Sequence, residues 1–288
     1  MIDWYYLIIA SAILNGIAQV VEKRMLKVEH ALAFSLTTTV GVSLLSLLLI
    51  PFASFTITSV DWLLVFAFSS TLALSYWLAA RMFRHGNISV AAPMYNSLPI
   101  LFVVIGAFLF LGEQLSITAY VAVITITIAT YLMFSEIRRT KKSDKSAKRY
   151  NHLTLIATLI TAVNAIILKY VIGTIDVYTF LIITSIVTSL FLSFEILGKS
   201  MSYRATALTA IRGNVKSLVL MSFLTTSYRL LFYFAILTAP ISLATPVNSA
   251  IVVVLTVLAS AFLFKEKRIK QKALLSIVLL VSIYLLVR

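Results

Sequence analysis

Polar side chains within long apolar segments are the residues of this sequence that could bind a solute. Asn15 and Gln19 lie one helical turn apart in the first apolar segment, and Asn164 lies in the sixth. Such side chains are costly to expose to lipid, so they face either a packed interior or an aqueous path. Two interpretations follow: a polar cavity, or hydrogen bonds that hold the helices together.

Arg229 lies deep within the eighth apolar segment, where a central arginine costs at least about 2.5 kcal/mol even on insertion scales. It therefore needs a partner, which could be a tyrosine hydroxyl, a carbonyl, a carboxylate or the anionic group of a solute. A structural bond to Tyr76 is the competing interpretation. Lys169 lies nearer the end of its segment, from where its ammonium could reach water.

Two groups of polar residues each follow a proline: Tyr95 and Asn96 after Pro93, and Asn248 and Ser249 after Pro246. A proline within a helix removes a hydrogen bond and frees a carbonyl, which polar neighbours or a solute can satisfy. We expect these residues to line a path, and a kink needed only for packing is the alternative. The aromatic residues that could stack on a solute, unless they are packing or interfacial residues, are Tyr76, Trp77, Tyr228 and Tyr233.

Transmembrane helices are the elements that must position these residues. Of the 288 residues, 61% are hydrophobic and only 12% are charged, against about 25% in a soluble domain. Apolar runs of spanning length fall at 4–22, 31–52, 61–83, 88–111, 117–135, 153–172, 177–197, 215–237, 241–264 and 271–287. The sequence therefore predicts an all-α membrane protein with ten transmembrane helices.

Basic residues divide these helices into two sides and two halves. Of the 24 Lys and Arg residues, all but three lie in the connections after helices one, three, five, seven and nine, which predicts that these connections are cytoplasmic. Both termini are then non-cytoplasmic. The charged segment 136–152 is predicted to be a basic cytoplasmic linker between halves 1–135 and 153–288. Because the basic residues orient the chain in a lipid bilayer, we expect no nucleic-acid partner.

An internal repeat relates the halves at an offset of 153 residues. Residues 89–113 align with residues 242–266 without a gap. Five aligned positions are identical: Ser89 and Ser242, Ala91 and Ala244, Pro93 and Pro246, Val104 and Val257, and Glu113 and Glu266. The loop before the first copy is basic and the loop after it is not, whereas the second copy has the reverse pattern. Reversed charge predicts reversed orientation, so the halves form an inverted repeat.

The stretch SVAAP, a second proline and LFLGEQL resemble the EamA module of the drug/metabolite transporter superfamily, and two copies cover nearly the whole chain. The second copy departs from this motif at Val252 and Lys265. The resemblance implies a ten-helix secondary transporter whose cavity is lined by the first, third and fourth helices of each half. It also implies cytoplasmic termini, contrary to the loop charge. Related small multidrug resistance proteins have an acidic residue near the position of Asn15, and its absence disfavours a drug-cation and proton exchanger.

These observations predict a plasma-membrane secondary exporter that moves a small polar or zwitterionic metabolite, such as an amino acid, by alternating access. A proton is the possible coupling ion, and a monomer or homodimer is expected. With no cysteine, no grouped histidines and no GxxxxGK motif, we expect no metal site, cofactor, ATP hydrolysis or catalytic activity. The alternatives are an organic-cation exporter and a membrane enzyme or translocase for lipid-linked substrates.

The acidic residues are predicted to lie at the membrane edges. Glu113 and Glu266 match the terminal glutamate of the EamA motif, and we expect them to cap helices or fix loops. Four further acidic residues are expected near the interfaces: Glu22, Asp61, Glu136 and Glu195.

Overall fold

The computed structural model describes residues 3–26, 31–85, 88–138, 145–201, 204, 215–263, 274, 277–279, 281–282 and 285. This part of the chain contains nine long α-helices: α1 (Trp4–Met25), α2 (Ala31–Ser46), α3 (Ser59–His85), α4 (Ile88–Leu111), α5 (Ile117–Arg138), α6 (Lys145–Val171), α7 (Val177–Leu197), α8 (Val215–Thr238) and α9 (Ile241–Phe262). A 3-10 helix, Leu47–Phe52, extends α2. The described residues between 274 and 285 are also helical, where a tenth helix is predicted.

Six helices within the described ranges are long and apolar enough to cross a membrane: α1, α2 with its 3-10 extension, α3, α7, α8 and α9. Shorter apolar stretches lie within α4, α5 and α6, at Leu98–Leu111, Ile117–Ala129 and Leu155–Val171. The chain is therefore a multi-pass membrane protein. The total of ten spans stays a prediction.

Helix α6 begins well before its apolar run. Its first residue is Lys145, and α5 continues to Arg138, so helix extends from both sides into the segment 136–152, which the sequence predicts to be a linker. This segment contains no proline or glycine, and its Lys, Arg and Ala residues favour helix. The apolar run marks only the part of a helix that is compatible with the hydrocarbon core of a membrane, so the helix itself can be longer.

Contacts between helices of different halves come in equivalent pairs. Where a helix of the first half packs on a helix of the second, the corresponding helix of the second half packs on the corresponding helix of the first. Helix α1 packs on α8 and α9, whereas α6 packs on α3 and α4. In the same way α2 packs on α8, and α7 packs on α3. Two further pairs, α4 with α9 and α2 with α7, join equivalent helices directly. The first, third and fourth helices of each half therefore surround the centre of the bundle.

At the end of the bundle at which α1 begins, here called the amino-terminal end, side chains of the two halves are in contact. The rings of Phe68 and Phe180 lie 5.1 Å apart, and those of Phe180 and Tyr233 lie 5.5 Å apart. Asp61, near the start of α3, accepts a hydrogen bond of 2.8 Å from Thr174 Oγ1 of the second half. The opposite end, here called the linker end, contains the ends of α1, α3 and α5 and the starts of α4, α6 and α8.

Candidate functional site

Arg229 and Tyr76 meet at the centre of the bundle. Arg229 is 5% exposed, and its guanidinium carbon lies 5.1 Å from the centre of the Tyr76 ring. Its other close electrostatic neighbours in the described part of the chain are the phenol groups of Tyr228 and Tyr233, and none is a carboxylate. Aromatic faces stabilise a buried cation. A guanidinium has five donors, however, and neutral tyrosines do not balance its charge, so an anionic group could bind it as well.

These two residues occupy equivalent positions in the repeat, because they are 153 residues apart. Equivalent residues of a two-fold arrangement touch each other only near its axis. Their contact therefore places the Arg229 side chain near the middle of the bundle, between α3 and α8. The structural bond to Tyr76 that the sequence predicts as an alternative is present, and a role in solute binding stays a prediction.

Asn15, Gln19 and Asn96 form an amide cluster between α1 and α4. Gln19 Nε2 donates to Asn96 Oδ1 at 3.1 Å, and Asn96 Nδ2 donates to Gln19 Oε1 at 3.0 Å. Gln19 also contacts Asn15 Oδ1 at 3.4 Å. Gln19 is buried, whereas Asn15 and Asn96 are half-buried. The cluster combines both interpretations: its hydrogen bonds join the helices, and its exposed edges can face a path.

The other predicted polar residues mainly join helices of opposite halves. Asn164 of α6 accepts a hydrogen bond from Thr71 and donates one to Ser75 Oγ at 3.4 Å, both in α3. Asn248 of α9 donates to Ser11 Oγ of α1 at 3.3 Å. Ser249 is buried beside it, and α9 continues as a helix through Pro246. These contacts favour a structural role for Asn164 and Asn248.

Tyr95 packs against side chains of both halves. It lies half-buried in α4, against an apolar cluster that contains Ala18 of α1 and Leu218 of α8 and against a second one that contains Ala157 of α6. Its ring also contacts the ring of Phe83 at 6.2 Å. Tyr95 therefore lies among side chains from both halves, which is where an alternating-access carrier would hold its solute.

The burial of Glu22 is not predicted by the sequence. The sequence places Glu22 near an interface, and in the structure it lies near the end of α1 with its side chain only 9% exposed. Residues 15, 19 and 22 have the spacing of one helix face. This spacing was the available signal, because it extends the polar face of Asn15 and Gln19 by one more residue.

Glu113 and Lys169 fix helix ends. The Glu113 carboxylate accepts hydrogen bonds of 3.0 Å from the backbone N–H groups of Ile241 and Ser242, which cap α9. Lys169 Nζ donates to the carbonyl oxygen of Ile236 at 2.6 Å and to that of Ala239 at 2.9 Å, at the end of α8. The capping role predicted for Glu113 is confirmed, and Glu266 lies outside the described residues.

Comparisons with known proteins agree with this arrangement. The profile of the EamA-like transporter family matches residues 2–135 and 149–288. Of 27 solved chains that match, one has a TM-score of 0.60 and covers 96% of this chain and 96% of its own length, at 14% identity. This likeness supports the fold alone. No curated protein sequence matches significantly.

The two matched ranges of the family profile account for nearly the whole chain, in two copies. They agree with the resemblance first noted in residues 89–113. The chain therefore belongs to the EamA-like transporter family and is a multi-pass membrane transporter of the drug/metabolite type.

Proposed function

We propose that this protein is a secondary exporter that moves a small polar or zwitterionic metabolite, such as an amino acid, by alternating access. The single observation that supports this best is Arg229, a buried cation whose described neighbours are neutral tyrosines. A buried charge without a counter-charge is costly, and an anionic group of a solute would offset that cost. Arg229 is therefore the proposed binding residue for that group.

The proposed transport cycle uses two inverted five-helix halves that rock about the centre of the bundle. The exchanged packing of α1 with α8 and of α6 with α3 supports this arrangement, as does the reversed loop charge. Loop charge also supports a cytoplasmic linker and non-cytoplasmic termini in the plasma membrane.

Uptake of radiolabelled L-amino acids into liposomes with the purified full-length protein tests this proposal. We expect Arg229→Gln to reduce transport at least about 100-fold, because removing one partner of a buried charged contact costs about 2–5 kcal/mol. Arg229→Lys keeps the charge and should retain more transport. Arg24→Gln, at an exposed position of α1, is the matched control and should transport normally. Full transport by a folded Arg229→Gln protein would remove Arg229 from the mechanism.

An exporter of organic cations is the second candidate function. Tyrosine rings and one buried carboxylate, Glu22, are groups that bind a cation. This alternative predicts that cations bind the Arg229→Gln protein at least as tightly as the wild type, because the substitution removes like-charge repulsion. A metabolite with a carboxylate should show the opposite response.

A further inference from the structure

The second helices of the two halves, α2 and α7, are related by an offset of 146 residues. They begin at Ala31 and Val177, which are 146 residues apart, whereas the later helices follow the offset of 153. The chain between the second and third helices is longer in the second half, which accounts for the difference. The identical residues of α2 and α7 at this offset are Phe34 and Phe180, Thr38 and Thr184, Ser43 and Ser189, and Leu44 and Leu190.

Ser43 and Ser189 are therefore equivalent residues, and they are in contact. Their hydroxyl oxygens lie 3.4 Å apart in the interface between α2 and α7. One helical turn away, the hydroxyl oxygens of Ser46 and Ser185 lie 3.2 Å apart. All four side chains are buried. Because equivalent residues of a two-fold arrangement touch each other only near its axis, the axis passes through this interface.

The serine contact does not depend on a hydrogen bond between the helices. Ser43 donates to the carbonyl oxygen of Thr39 at 2.8 Å, and Ser189 donates to that of Ile186 at 2.8 Å, each within its own helix. A serine hydroxyl has one proton, so neither has a second one to donate across the interface. The two helices can therefore turn against each other without leaving a buried donor unpaired, which is costly in a membrane. Small side chains also allow the helices to approach closely.

The inverted repeat determines which separations differ between the end states of a transport cycle. Alternating access in such a repeat exchanges the conformations of the two halves. A pair of equivalent residues is then exchanged with itself, so its separation is the same in both end states. A pair of non-equivalent residues is exchanged with a different pair, so its separation can differ. Phe52 and Tyr178, whose rings lie 5.6 Å apart at the amino-terminal end of the same interface, are such a pair.

We propose that the contact between Ser43 and Ser189 is the pivot of the transport cycle, around which α2 and α7 turn without separating. This inference rests on the alternating access of the proposed function and adds the place about which the halves move. Side chains near the ends of the interface, such as Phe52 and Tyr178, then approach and separate as the helices turn.

Cysteine cross-links test the pivot, because the chain has no cysteine of its own. Transport into liposomes by the full-length protein with Ser43→Cys and Ser189→Cys is compared before and after oxidation. We expect a disulfide to form and transport to stay within about twofold of the reduced protein, since a cross-link at a pivot leaves the motion free. For the control pair, Phe52→Cys with Tyr178→Cys, a short reducible cross-linker should lower transport at least about tenfold, and reduction should restore it.

Spin labels at exposed positions measure the same motion without a transported solute. Leu44 and Leu190 are equivalent residues adjacent to the two serines, and they are 63% and 52% exposed. Electron paramagnetic resonance should give one separation for labels on Leu44→Cys and Leu190→Cys. Labels on Phe52→Cys and Tyr178→Cys should give two.

The outcomes separate the pivot from the proposed function. If the oxidised serine pair loses transport at least about tenfold, or if the labels at positions 44 and 190 give two separations, the pivot is refuted while the proposed function stands. If the wild type transports no amino acid but both label pairs behave as expected, the proposed solute is wrong and the pivot stands.

Two further results would also refute the pivot. One separation for both label pairs would show that α2 and α7 do not turn against each other. A folded serine pair that forms no disulfide would show that the two residues do not meet. If the first serine pair fails to fold, Ser46→Cys with Ser185→Cys provides the same test one helical turn away.

Discussion

The ends of the two halves use the same kind of contact, whereas their middles use different side chains. Lys23, near the end of α1, donates to the carbonyl oxygen of Phe83, and Lys169, near the end of α6, donates to that of Ile236. The accepting residues Phe83 and Ile236 are 153 residues apart, which is the repeat offset, whereas the two lysines are 146 residues apart. At the middle, the same offset relates Tyr76 to Arg229. The two halves therefore have similar contacts at their helix ends and differ at the central pair, Tyr76 and Arg229.

This difference has a physical explanation. Helix ends in both halves leave the same unsatisfied carbonyl groups, so the same kind of lysine contact serves each of them. A small metabolite has no two-fold symmetry, and a site on a two-fold axis must itself be asymmetric to hold one orientation. Arg229 opposite Tyr76 provides that asymmetry. The ends are thus expected to govern stability and the middle to govern transport.

Exchanging the central pair is the strongest test of this comparison. We expect Arg229→Tyr to lower transport at least about 100-fold, since the cationic group is lost. Adding Tyr76→Arg returns a guanidinium to the axis from the equivalent position, and the double variant should regain at least about tenfold of the lost activity. Liposome transport measures both. A folded double variant no better than Arg229→Tyr would show that the two positions are not functionally equivalent.

A glycine in α2 allows a close approach of the two halves. A Cβ atom at Gly41 would lie 2.1 Å from Ser222 Oγ and 2.8 Å from Ser222 Cβ of α8. We expect Gly41→Ala to destabilise the fold by about 1–3 kcal/mol through overpacking, measured as a lower thermal unfolding midpoint. Gly198→Ala is the control, because its nearest contact would be an ordinary 3.6 Å. Equal midpoints for the two variants would show that α2 and α8 separate freely.

Glu113 tests whether the amino-terminal end is structural. Glu113→Gln weakens the cap on α9 and should cost about 1–2 kcal/mol of stability. Ser242→Ala removes one of the hydrogen bonds and should have a smaller effect. Thermal unfolding checks the order, and solute affinity should not change. Loss of transport with an unchanged midpoint would instead make this end part of the transport mechanism.

The two lysines should give the smallest effects and similar ones. Lys23→Met and Lys169→Met each remove donation to the end of a helix, which we expect to cost about 1 kcal/mol. Solute binding should stay within about twofold of the wild type, since both lysines donate to backbone carbonyl groups at helix ends, away from the central pair of Tyr76 and Arg229. Calorimetric titration and thermal unfolding together check this. A large loss of affinity in only one variant would break the equivalence of the ends.

Hydropathy and the repeat predicted the elements well and the site only in part. Helix α7 spans the predicted residues 177–197, and α9 ends at Phe262, close to the predicted residue 264. Asn15 and Gln19 lie on one face, as their spacing predicts. The burial of Glu22 and the early start of α6 at Lys145 were not predicted. A residue near the end of an apolar run can be exposed or covered, and only its neighbours decide which.

The sequence by itself determined that this chain crosses a membrane repeatedly, that its helices form two related halves, and that Arg229 needs a partner. These follow from the free energy of transferring each residue into lipid and from spacing along the chain. Only the tertiary structure decided that Tyr76 is that partner and that Glu22 is buried. Transfer free energies give the membrane depth of a side chain but not its rotation about the helix axis. That rotation is set by packing between helices far apart in sequence.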